Sequence, residues 1–126
     1  MAGRVVHFEI PYDDAQRART FYAEAFGWQL QELPDLGYTM VSTGPVTEEG
    51  FPSEPGFVNG GMFRRGDGGV DRLVLTIDVD DIDAALKSVE QLGGKPVGEK
   101  VPVADMGFAA YFEDPEGNVV GLWQNA

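Results

Sequence analysis

Two stretches of this chain repeat each other, and no other feature narrows the possible folds as much. DDAQRARTFYAEAFGW starts at Asp13 and DDIDAALKSVEQLGG at Asp80, a shift of 67 residues that lays Asp14 on Asp81, Ala18 on Ala85 and Gly27 on Gly94. Both open on carboxylates, which accept the unpaired N–H groups of a helix start and meet its positive dipole end. Both close on glycine, the residue that most easily turns left-handed and stops a helix. Ala18, Phe21, Tyr22, Ala25 and Phe26 recur at helical spacing in the first, and Ile82, Ala85, Leu86, Val89 and Leu92 in the second. Each is an amphipathic helix expected to bury one stripe.

The flanks repeat as well. VVHFEIP precedes the first helix and RLVLTIDV the second, each alternating with the period of two that marks a strand. WQLQEL, YTMVST and FVNGGMF follow the first helix; KPVGEKVPV, FAAYFE and NVVGLWQ follow the second. Asp-Pro-Glu-Gly-Asn, residues 114–118, is a tight turn between the last two runs. Strand, helix and three strands thus occur twice, which predicts an α+β fold of two βαβββ modules, about 1–66 and about 67–126. Neither half is long enough to stand comfortably alone, so a single domain is expected. The Pro-, Gly- and Glu-rich residues 44–56 read as a mobile loop.

Composition removes several kinds of function. With 21 acidic against 9 basic residues the net charge is −12, a field that repels phosphate backbones, so no nucleic acid partner is expected. The same field favours a cationic small molecule over an anionic one. The chain has no cysteine, which rules out disulfides, thiolate metal ligands and cysteine nucleophiles. No apolar run reaches the ~20 residues of a membrane span, and the first residues lack a signal-peptide pattern, so the expected location is cytoplasmic, away from membranes.

These motifs together resemble the vicinal oxygen chelate superfamily, which includes glyoxalase I, bleomycin-resistance proteins and extradiol dioxygenases. The resemblance rests on the duplicated order, on EIPYDDAQRARTFYAEAFGW and IDVDDIDAALKSVEQLGG, on NGGMF and MGFAAYF, and on the closing EDPEGNVVGLWQ. It implies a curved mixed sheet enclosing a cavity, with helices outside, and a homodimer. In the superfamily's metal-dependent members, ligands come from the first and last strands of each module. His7, the only histidine, matches the first such position. Alternation puts Val6, Phe8 and Ile10 under the helix and leaves His7 and Glu9 facing the cavity.

The remaining ligand positions hold no ligands. The repeat shift carries His7 to Val74, and the last-strand positions fall at Gly61 and Gly121. One imidazole does not hold a catalytic metal, which needs about three protein ligands. No cofactor is therefore expected; a site shifted to His7 and Glu9, with Asn59 or Glu113 as further substitutes, is the minor alternative. The expected pocket is lined by His7, Tyr38, Met40, Asn59, Gly61, Val74, Thr76, Tyr111, Gly121 and Trp123. Three activities follow in decreasing order: metal-independent binding of a small molecule, a lyase or isomerase using His7 and Glu9 as acid–base groups, and a metal-dependent glyoxalase or dioxygenase.

Overall fold

The structure, a computed structural model, describes residues 3–126. Eight strands and two helices follow the duplicated order: β1 (Val5–Tyr12), α1 (Ala15–Phe26), β2 (Gln29–Leu33), β3 (Tyr38–Ser42) and β4 (Asn59–Arg64), then β5 (Val74–Asp78), α2 (Ile82–Gln91), β6 (Lys95–Val103), β7 (Gly107–Glu113) and β8 (Val119–Asn125). The fold is α+β. Two compact units emerge, one of His7–Leu73 and one of Val74–Ala126 with residues 3–6.

In the unit His7–Leu73 the strands lie in the order β2-β3-β4-β1. β1 runs parallel to β4, while β2 with β3 and β3 with β4 are antiparallel. A parallel first and last strand needs a long crossover, and α1 with β2 and β3 supplies it. Residues that share a register row share a face, so His7 goes with Asn59, and Glu9 with Gly61 and Met40. The opposite face carries the buried Val41 and Met62. Gly60 belongs there too, where a Cβ would run into the Phe8 ring and carbonyl.

α1 departs from the expected burial. Asp14 caps it by accepting from the Arg17 N–H at 3.0 Å, and Gly27 ends it in a left-handed turn at φ 73°. Its apolar stripe is only partly covered: Phe21 and Phe26 are 57% and 64% exposed, and no residue of the helix is fully buried. Tyr22 stacks on Trp28 at 4.9 Å, and Trp28 meets Phe8 at 5.7 Å. Tyr22, with Phe26 also 5.9 Å from Trp28, thus docks the helix where the periodicity predicts a buried stripe.

The other unit repeats the pattern as β5-β8-β7-β6, with β5 parallel to β8. Here the stripe is better covered. Ile82 is fully buried with Ala110 and Leu122, and Ala85, Leu86, Phe108 and Phe112 pack around them. Leu92 is the exception at 79% exposed. Asp81 caps α2 through the Ala84 N–H, and the left-handed residue after it is Gly93, where the repeat points to Gly94. In the turn at 114–118 the Asp114 carboxylate accepts from the Asn118 and Glu116 backbone N–H groups and from the Asn118 amide. The Asn118 bonds, above all, hold Asp114 below the usual carboxylate range.

Residues 44–56 form an internally bonded hairpin where the composition suggests mobility. Val46 bridges Pro52, Thr47 N–H donates to the Phe51 carbonyl, and Ser53 N–H to the Pro45 carbonyl. No helix among the described residues is long and apolar enough to cross a membrane. Replacing either helix cap, Asp14→Ala or Asp81→Ala, is expected to destabilise by about 1 kcal/mol, read from urea midpoints at constant m-value.

Candidate functional site

β1 brings His7 and Glu9 to one face of the unit His7–Leu73, two residues apart on the same strand. β3 delivers Tyr38 between them. The Tyr38 hydroxyl donates to the Glu9 carboxylate at 2.8 Å, and His7 Nε2 lies 2.8 Å from the same oxygen. An ionised carboxylate only accepts, so the single hydroxyl proton belongs to the Glu9 bond. His7 must then carry its proton on Nε2 and donate to Tyr38. Its Nδ1 is left as a lone-pair acceptor with no hydrogen bond among the described residues.

Burial shapes the charge state. Glu9 is only 8% exposed, and a carboxylate so placed needs donors. Tyr38 supplies one. Burial is also the main influence on His7 and pulls its imidazole below the ordinary value of 6.5, with the Glu9 charge opposing it. His7 is therefore a neutral imidazole near neutral pH.

Gly61 explains how Tyr38 fits. A Cβ built at Gly61 would overlap the Tyr38 hydroxyl and ring. The missing side chain at a ligand position of the superfamily makes the space that the phenol occupies. In the second unit Gly121 sits in the equivalent row with Thr76 and Tyr111. A Cβ there would come 2.9 Å from Thr76 Oγ1 and 3.3 Å from Val74 Cγ1. Val74 and Thr76 are buried at 2% and 7% exposure. Trp123 lies one step along the same face of β8 and donates its indole N–H to Asn125 at 2.8 Å.

These residues do not suit a metal ion. His7 and Glu9 are both committed to one hydroxyl, and Val74, Thr76 and Gly121 provide no imidazole or carboxylate. Among the described residues no group of three histidine, aspartate or glutamate side chains converges. Asn59 takes another task, accepting the Thr43 N–H through Oδ1 at 2.9 Å. Its Nδ2 and the Thr39 hydroxyl are buried without partners. Glu113 lies on β7 in the row of Lys95 and Val119.

The sequence reading missed one feature of the first unit. An open groove of about 580 Å3 runs along β2 and β3 under the start of the 44–56 hairpin. Gln29, Gln31, Met40, Ser42, Thr43 and Val46 line it. Met40 was expected at the site; the two glutamines alternate on β2 with Leu30 and Glu32, and that period of two was the available signal.

With a duplicated βαβββ order, parallel first and last strands and a polar cluster on β1, the class is that of the vicinal oxygen chelate fold. The model of the bleomycin resistance protein-like N-terminal family matches residues 4–44. The chain is 31% identical over 117 residues to the candidate glyoxylase CFP32 of Mycobacterium tuberculosis, covering 88% of this chain and 41% of that one. It thus spans about two fifths of the mycobacterial relatives it matches. A glyoxylase-like domain-containing protein of Didymella fabae is 29% identical over 124 residues, covering 92% and 89%. Among solved structures, a glyoxalase/bleomycin resistance protein/dioxygenase superfamily member from Vibrio splendidus aligns with a TM-score of 0.61 at 17% identity, over 100% of both chains. Methylmalonyl-CoA epimerase of Streptomyces coelicolor aligns with 0.68 at 16% identity, over 100% of this chain and 99% of that one. The chain is thus similar to glyoxylase-like proteins and shares the fold of glyoxalase/bleomycin resistance protein/dioxygenase superfamily members.

Two outcomes test this site. Gly61→Ala is expected to destabilise by about 1–3 kcal/mol through overpacking, with Tyr38→Leu in the same chain recovering part of that loss; additive penalties would show that the two residues do not compete for space. The second concerns pH. Above 6.5 the folded and unfolded chains both hold a neutral His7, but below it the unfolded chain takes the proton first and stability is lost. Between pH 7.5 and 5 the wild-type melting temperature should therefore fall further than that of His7→Gln. Parallel curves would refute the lowered imidazole.

Proposed function

We propose that this chain binds a small organic molecule without a metal ion, through the face that carries His7, Tyr38 and Glu9. The observation that carries this reading is the Tyr38 hydroxyl held between His7 and Glu9 over Gly61. It occupies the space a coordinating side chain would need, and it leaves the imidazole Nδ1 as an acceptor for a ligand O–H or N–H. A homodimer and a cytoplasmic location remain part of the proposal.

Metal-free bleomycin is the first probe, given the family model that the N-terminal residues match. A saturable rise in melting temperature, unchanged by chelator and weakened at least tenfold in His7→Ala, is expected; at one hundred times Kd the stabilisation is about 2.7 kcal/mol. One equivalent of transition metal retained after chelator-free purification would overturn the reading.

A second activity has an observation of its own. A neutral His7, backed by a phenol and a buried carboxylate, is built as a general base would be. An isomerase acting on an acidic C–H would incorporate deuterium into its substrate in D2O. Methylmalonyl-CoA, the substrate named for one structural neighbour, is the test compound. Deuterium at its C2 favours the enzyme; binding without exchange favours sequestration.

A further inference from the structure

We infer that the groove along β2 and β3 is a subsite for an uncharged ligand group rich in hydrogen-bonding atoms, such as a peptide-like amide. The inference extends the binding reading above but rests on separate residues, since His7, Glu9 and Tyr38 do not line the groove.

Three observations converge. First, none of the residues lining the groove is charged, although the whole chain carries −12. Alternation on β2 is the cause: Gln29 and Gln31 share rows with Ser42 and Met40, whereas Glu32 shares a row with Thr39 on the other face. Glu32 there pairs with Arg19 of α1 at 2.9 Å. The charge that would draw a cation is placed behind the sheet.

Second, three of the four polar side chains of the groove are uncommitted. The Gln29 and Gln31 amides and the Ser42 hydroxyl make no hydrogen bond with any described residue, whereas Thr43 is spent on the Val58 carbonyl. A side-chain amide offers two donors and a carbonyl acceptor, the complement of another amide. Third, the volume of about 580 Å3 suits a small molecule, and Met40 and Val46 add an adaptable apolar floor and wall. The row Gln31, Met40, Gly61, Glu9 runs from this groove towards the His7 cluster, so one ligand can span both.

The test is an NMR titration of the 15N-labelled chain with three probes: N-acetylglycine N-methylamide, which is uncharged, agmatine, which is cationic, and acetate. The diamide is expected to shift the side-chain NH2 signals of Gln29 and Gln31 and the backbone signals of residues 42–46, saturating with a Kd of about 1–10 mM for a fragment of this size. Agmatine and acetate should leave those signals unmoved at equal concentration. Gln31→Leu should weaken the diamide at least fivefold, and Gln31→Glu should transfer the preference to agmatine. His7→Ala should leave the diamide shifts intact, so the groove is judged apart from the His7 site even if bleomycin fails to bind. Equal or stronger shifts with agmatine, or no saturable shift with the diamide, would overturn the inference.

Discussion

The parallel pairing of a module's first strand with its last is the constraint on which the rest of this molecule depends. β1 beside β4 sets His7 against Asn59 and Glu9 against Gly61; β5 beside β8 sets Thr76 against Gly121. The geometry of the His7 site follows from those rows. A slip of one residue would turn His7 and Glu9 towards the helix and expose Phe8 and Ile10 in their place. Gly60, closed in by Phe8, holds the row on one face, and Gly61, closed in by Tyr38, holds it on the other.

Within that frame, the chemistry of the first module follows from burial. A carboxylate as enclosed as Glu9 needs donors, and the phenol of Tyr38 is one. The same phenol accepts the hydrogen bond from His7 Nε2–H and so selects the tautomer that presents Nδ1. Two near neighbours on β1 and a tyrosine from β3 thereby act as one polar unit. The charge of the whole chain says little about this unit, because the carboxylates that produce the −12 are mostly exposed and the groove beside it carries none of them.

Much of this was legible from the residues. The 67-residue shift carries His7 to Val74, and the sheet rows place Glu9 opposite Gly61 and Thr76 opposite Gly121. Strand alternation separated His7 and Glu9 from Phe8. Where the reading and the structure part, the reason is that periodicity reports which residues share a face, not what covers that face. Phe21 and Phe26 have the spacing of a buried stripe and are exposed, and residues 44–56 have the composition of a mobile loop but bond to one another.

By itself, then, the sequence determined the duplicated βαβββ order, the helix caps at Asp14 and Asp81, and the absence of side chains at Gly61 and Gly121, because each depends on local spacing or on residue identity. Only the tertiary structure decided that Tyr38 fills the room left by Gly61, that its hydroxyl joins His7 to Glu9, and that Gln29 and Gln31 border an uncharged groove. Those outcomes depend on which strands lie side by side and on which side chains reach across them. Distances of that kind are set by the packing of residues far apart along the chain, and no local pattern encodes them.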